Sequence, residues 1–249
     1  MYQDLSKHPY AQPFTFEGNR DHGVLVLHGF TATPGTVLPL GEAIARAGHY
    51  VKGILLPGHG TTIEEMQKTN WKDWYDAAFD AYDEMAKTCK KVSVAGLSMG
   101  GTLTCLLAEH RPVHKAVPIA PALKVLQHGS HLAKYFWSLV PILPGKDKDY
   151  PDYLLDYDVC YHDTPVKNVA DLNHLAMLAK QDLKKITCPL LVVKAGQDQS
   201  VHPDAPKWII LQSSSVEKKL LVLPNSPHVC TLGGERELLF RKVTAFLQD

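Results

Sequence analysis

Apolar residues along this chain fall into two kinds of run, and their alternation predicts the architecture. Short, nearly uninterrupted apolar stretches bounded by turn residues occupy 23–28, 91–95, 115–119 and 189–193, with a further strand-like run at 218–223. Continuous rather than alternating apolar character marks strands buried on both faces of a parallel sheet. Elsewhere the period is that of a helix. Trp74, Ala78, Ala81 and Met85 recur at i, i+4, i+7 and i+11, and Leu239, Val243 and Phe246 form a similar stripe near the C-terminus. Strands alternating with helices predict an α/β fold built on a mostly parallel, doubly wound sheet.

The rhythm breaks over residues 122–187, where no convincing core strand occurs. That stretch is rich in aromatic residues (Tyr135, Phe136, Trp137, Tyr150, Tyr153, Tyr157, Tyr161) and carries Pro141, Pro144, Pro151 and Pro165. It is too long for an ordinary loop between two sheet strands. The pattern predicts a small cap inserted into a core formed by 1–121 and 188–249. The competing arrangement is a larger helical layer of the same domain. Trp137, Leu139, Val140, Ile142 and Leu143 are the cap's candidates for an apolar groove.

Composition narrows the classes. A chain of 249 residues, 45% apolar and 21% charged, fits one large globular domain or a core with an insertion. Lys+Arg and Asp+Glu both total 26, so no excess charge points to nucleic acid or to a membrane surface. The first residues lack the apolar run of a signal peptide, and no stretch has the roughly 18 apolar residues of a membrane span. Five scattered cysteines form neither a disulfide framework nor a zinc pattern. A cytoplasmic protein with free, mostly buried thiols is the expectation, without stable membrane insertion, and as a monomer or homodimer.

Against this background one short motif stands out. Gly96-Leu97-Ser98-Met99-Gly100 follows a predicted strand directly and runs into a segment with Met99, Leu103, Leu106 and Leu107 on one side. Strand, sharp turn, helix is the setting in which Gly-x-Ser-x-Gly presents a nucleophilic serine. So tight a turn forces Ser98 into strained backbone, and its neighbours at −2 and +2 must lack bulk. A hydroxyl also needs a base, and the base an orienting acid. Asp198 follows the strand at 189–193 and His228 follows the run at 218–223, which sets them on loops at the same sheet edge. Asp204 is the rival acid. His174 falls in the cap, while His22, His49, His110 and His114 flank core elements and are expected to face solvent. The oxyanion of a tetrahedral intermediate needs two donors already in place. The amide after the nucleophile, Met99, and that of Phe30, in the loop after the first strand, are the candidates.

Leu27-His28-Gly29-Phe30-Thr31-Ala32-Thr33-Pro34, Pro57-Gly58-His59-Gly60, Gly96-Leu97-Ser98-Met99-Gly100-Gly101 and Asn225-Ser226-Pro227-His228 resemble the α/β-hydrolase superfamily. Within it they are most similar to small bacterial carboxylesterases and monoacylglycerol lipases. The resemblance covers nearly the whole chain from about Gly23 and is weakest in the cap. It implies ester hydrolysis of a small molecule, without cofactor or metal, through Ser98, Asp198 and His228. It also implies Phe30 and Met99 as oxyanion donors and Asp158, in the cap, as a contact for the alcohol portion. Phenolic-ester, amide or carbon–carbon bond hydrolysis on the same scaffold remains open, as does a ligand-binding protein using the hydrolase fold. A nucleotide- or metal-dependent enzyme has no motif here, neither a phosphate-binding Gly-x-x-x-x-Gly-Lys-Ser/Thr loop nor His-Glu-x-x-His.

Overall fold

The computed structural model describes residues 4–126, 133, 137–145 and 152–248, so Tyr135, Phe136, Tyr150 and Pro151 of the aromatic stretch lie outside the described residues. A seven-stranded sheet carries the fold. Its strands are β1 (Phe14–Phe16), β2 (Asn19–Leu27), β3 (His49–Gly53), β4 (Val92–Leu97), β5 (Ala116–Ile119), β8 (Leu190–Ala195) and β9 (Lys218–Leu223). Their spatial order is β1-β3-β2-β4-β5-β8-β9. Only β1 runs antiparallel to its neighbour; all other pairs are parallel. The four apolar runs and the strand-like run lie on β2, β4, β5, β8 and β9. The two strands without such a run are at one side, where β1 is three residues long and β3 is punctuated by His49 and Lys52.

Residues along β2 alternate between two cores. Leu25 and Leu27 face one cluster, to which α3 (Trp71–Thr88) contributes Trp74 and Met85 and α4 (Met99–His110) contributes Leu103 and Leu107. Val24 and Val26 face the other, filled by Leu40 and Ile44 of α1 (Leu38–Arg46) and by Leu239, Val243 and Phe246 of α7 (Arg236–Gln248). The period-2 geometry of a strand thus supplies both faces at once. Trp74 is completely buried, and at about 25 cal/mol per Å² such a side chain is among the larger single apolar contributions to the fold.

The stretch 122–187 holds two different kinds of structure. Its first part includes a two-stranded antiparallel ribbon, β6 (Ile142–Leu143) with β7 (Thr164–Pro165). Its second is the helix α5 (Val166–Asp182), whose Leu172, Leu175 and Ala179 join the core cluster of α3 and α4.

The histidines near the opposite end of the sheet depart from expectation. His49 is buried, and His22 lies 4.6 Å from His49 and 5.0 Å from His114, ring centroid to ring centroid. These imidazoles pack on one another because β2, β3 and the loop before β5 begin side by side there. Burial pulls the His22 pKa down to about 3. Of the four expected to face solvent, His49 is buried, His22 and His114 are half-buried, and His110 is exposed as expected.

Glu109, in the last turn of α4, is a buried carboxyl with neither oxygen hydrogen-bonded. Burial, aided by Asp182, raises its pKa to about 9. The folded state therefore keeps a proton that the unfolded chain releases near 4.5, and stability falls as pH rises from there towards 9. Glu109→Met should raise stability at pH 8 by about 1–3 kcal/mol. Urea denaturation at pH 6, 7 and 8 should then show a flatter pH dependence than the wild type.

Candidate active site

Ser98 sits between β4 and α4 at φ 58°, ψ −115°. This left-handed geometry is costly for a residue with a side chain, and the surroundings fix it from three sides. The Ser98 N–H donates to the Ile119 carbonyl at 2.9 Å, and the Ser98 carbonyl accepts from Thr102 N–H at 3.0 Å and Ala122 N–H at 3.1 Å. The flanking glycines are required sterically. A Cβ on Gly96 would collide with the Gly100 carbonyl, and one on Gly100 with the Leu27 carbonyl. Gly29 brings the loop after β2 close to Ser98, since a Cβ there would stand 3.1 Å from the Ser98 Cβ.

The loops after β8 and β9 deliver the other two groups. His228 Nε2 is 2.8 Å from Ser98 Oγ, and its Nδ1 is 2.7 Å from Asp198 Oδ2. An ionised carboxylate only accepts, so Nδ1–H donates to Asp198 and Nε2 is left to accept the Ser98 hydroxyl proton. The other carboxylate oxygen, Oδ1, accepts the Ser200 and Val201 amides at 2.8 and 3.1 Å. The two loops are stitched together, because Gln197 N–H donates to the Ser226 carbonyl at 2.9 Å. Glu235 Oε2 holds the histidine loop through Asn225 N–H at 2.9 Å and the Ser226 hydroxyl at 2.7 Å. Asp204 is elsewhere: it precedes α6 (Ala205–Gln212) and pairs with Lys207 at the surface.

Met99 is the first residue of α4, where an N–H has no acceptor within the helix. The Phe30 amide meets no backbone acceptor among the described residues. The loop that carries Phe30 is held by His28, the residue that ends the first apolar run. His28 is fully buried; its Nε2 accepts Leu56 N–H at 3.1 Å, so its Nδ1–H donates to the Gly29 carbonyl at 2.9 Å. Burial, reinforced by His59, pulls its pKa to about 3 and keeps this neutral tautomer at ordinary pH. The Phe30 ring rests edge-on against Trp74 at 5.8 Å. Glu235, Ser200 and Val201 were equally invisible in sequence, because two act through backbone amides and one from a loop with no motif.

Above Ser98 and His228 opens a cavity of about 550 Å³. Its lining includes apolar Val125, Val169, Leu172 and Val201 and polar Asp158 and Tyr153. Asp158 Oδ2 accepts the Tyr153 hydroxyl at 2.8 Å. The five residues expected to form an apolar groove do not line this cavity. Trp137, Leu139 and Val140 are exposed, and Ile142 and Leu143 belong to the small ribbon. Apolar side chains from the start of the excursion, α5 and the loops after β8 and β9 take that role. Among the described residues no cluster of His, Cys, Asp or Glu is placed to hold a metal ion, and no helix is long and apolar enough to cross a membrane.

A family model described as serine aminopeptidase, S33 (Hydrolase_4) matches residues 18–235. The chain belongs to that family. Its relatives are α/β-hydrolases of the esterase and lipase type. A thermostable monoacylglycerol lipase of Bacillus sp. (strain H-257) is 36% identical over 95% of this chain and 94% of the relative. A carboxylesterase of Bacillus subtilis (strain 168) is 27% identical over 95% and 96% of the two chains. A solved structure from work on LipS and LipT, two metagenome-derived lipolytic enzymes, superposes with a TM-score of 0.91 at 33% identity, covering 99% of each chain. This member of the family is therefore a hydrolase of the serine esterase class.

The two aspartates give a direct comparison. Asp198→Asn should lower kcat by about 10⁴, since an amide in that place favours the wrong imidazole tautomer. Asp204→Asn should keep wild-type turnover. Steady-state hydrolysis of a p-nitrophenyl ester measures both; the opposite pattern would make Asp204 the acid.

Proposed function

We propose that this enzyme hydrolyses short- to medium-chain acyl esters, monoacylglycerols among them, through a covalent acyl–Ser98. The reading rests on one observation above all: the hydrogen-bonded line Asp198–His228–Ser98, at 2.7 and 2.8 Å, whose Ser98 and His228 line a cavity with many apolar side chains. His228 Nε2 takes the Ser98 proton as Oγ attacks the ester carbonyl carbon. The carbonyl π electrons move onto oxygen, and the Phe30 and Met99 amides hold the resulting oxyanion. Collapse breaks the ester C–O bond, and His228 gives its proton to the departing alcohol. Water then enters, loses a proton to the same imidazole and attacks the acyl carbon. The second collapse releases the acid and restores Ser98. Asp198 stabilises the imidazolium each time and keeps the ring oriented.

The rest of the site suits an ester with unequal ends. Val125, Val169 and Leu172 offer an acyl chain apolar surface, while Asp158 offers a hydroxyl of the alcohol portion an acceptor. Residues 122–187 act as the cap in this scheme, with α5 anchoring the insertion to the core. No cofactor or metal is needed. The described cysteines are all free, which suits a reducing compartment such as the cytoplasm.

A panel of p-nitrophenyl esters, 1-monoacylglycerols, feruloyl esters and an amino-acid p-nitroanilide tests the substrate class. Turnover should be highest on acyl or monoacylglycerol esters of about 4–10 carbons, the length a cavity of this size accommodates. Turnover of the anilide with none of any ester would overturn the reading. Ser98→Ala should remove activity by at least about 10³-fold and abolish labelling by a fluorophosphonate probe, with unchanged thermal unfolding. Intact labelling in that variant would place the nucleophile elsewhere.

A further inference from the structure

Glu235 and Arg236 are adjacent in the chain and reach in different directions. Glu235 holds the loop that carries His228. Arg236, the first residue of α7, reaches instead into the insertion. Its Nη1 donates to the Asp152 carbonyl at 2.7 Å and to the Gly233 carbonyl at 3.2 Å, and its Nη2 lies 3.2 Å from Asp152 Oδ1. Asp152 stands at φ 51°, in the left-handed region that aspartate enters more readily than most residues. The next residue, Tyr153, donates its hydroxyl to Asp158 Oδ2 in the cavity at 2.8 Å. Leu154 N–H adds a second tie to the same region, donating to the Leu232 carbonyl at 3.0 Å.

We infer that Arg236 is a positioning residue for alcohol specificity: by gripping the Asp152 backbone it sets Tyr153, and through Tyr153 the carboxylate of Asp158. This rests on the proposed role of Asp158 towards the alcohol portion of the ester. The Arg236 side chain is largely withdrawn from solvent, 17% exposed, whereas the Asp152 side chain is 68% exposed. A pair so open on one side contributes little as an ion pair. The effective contact is the charged hydrogen bond to the Asp152 carbonyl, which no side-chain change at Asp152 removes. The Glu235–Arg236 pair thus ties the base and the alcohol end of the pocket to one helix N-terminus. An Asp152→Asn change should matter little, although it deletes the carboxylate, while loss of Arg236 should loosen Asp158.

Two esters with one acyl group separate the roles, 1-monooctanoylglycerol with a polyol and p-nitrophenyl octanoate without. Arg236→Gln should lower kcat/KM for the glyceride roughly tenfold through KM, the loss expected when one charged hydrogen bond no longer holds. The nitrophenyl ester should change much less, so the ratio of the two specificity constants moves. Arg236→Lys, which keeps one charged donor, should fall between the wild type and Arg236→Gln. Asp158→Asn should reproduce the effect of Arg236→Gln, and the double variant should not add to it. If Asp158→Asn raises KM for the glyceride and Arg236→Gln does not, Arg236 has no part in specificity and the proposal fails while the reading of Asp158 stands. If Asp158→Asn leaves the glyceride unaffected, that reading fails and takes this one with it. Equal losses on both esters in Arg236→Lys, with a lowered unfolding temperature, would mark Arg236 as a merely structural clamp and also overturn the proposal.

Discussion

Ser98 occupies backbone that an isolated chain would leave at once, and the site depends on its being held there. Three backbone hydrogen bonds, to Ile119, Thr102 and Ala122, tie it to the end of β5, to the first turns of α4 and to the loop that follows β5. Those partners are in place only when β4 and β5 are paired and α4 lies over them. The strain is therefore local while its support is global, as is common where a side chain must stand clear of the sheet. Gly96 and Gly100 are the sequence's share of that arrangement, since each sits against a carbonyl that leaves no space for a Cβ.

The same parallel sheet brings the other chemical groups within reach. Parallel strands all end at one edge, so the loops after β2, β4, β8 and β9 converge there without any loop being long. Phe30, Ser98, Asp198 and His228 each leave from one of these ends. Convergence alone would not give hydrogen-bond distances of 2.7 and 2.8 Å. Secondary contacts refine it: the Ser200 and Val201 amides fix Asp198, Glu235 fixes the His228 loop, and neutral His28 fixes the strand end before Phe30. Each of these groups limits rotation of a side chain or loop that would otherwise sample several positions, which is how preorganisation lowers a barrier.

The stretch 122–187 shows a different balance. Its helix α5 is bound to the core by ordinary apolar packing. The segment around Asp158 packs into the same core through Val159 and Tyr161, and polar contacts also tie it to two loops of the site. Thr33 Oγ1 donates to the Val159 carbonyl at 2.8 Å and Tyr161 N–H to the Thr31 carbonyl at 2.9 Å on the oxyanion side, while Arg236 holds Asp152 on the histidine side. Polar ties of this kind fix the direction in which the segment runs, in addition to the apolar packing of Val159 and Tyr161.

The linear chain by itself determined the parallel α/β fold and the elbow at Ser98, and it offered His228 with Asp198 or Asp204 as partners, because these rest on local signals. Uninterrupted apolar runs encode buried strands, the glycines at 96 and 100 encode the turn, and chain order after each strand places the loops. Only the tertiary structure decided between Asp198 and Asp204, since four residues of loop separate an inward carboxylate from one at the surface. It also buried His49, placed Trp137, Leu139 and Val140 away from the cavity, and showed the contacts of His28, Glu235 and Arg236. These facts depend on contacts across tens to hundreds of residues, such as Asp152 with Arg236. A pattern of apolar and polar positions records which face a residue turns inward, and carries no record of what it meets there.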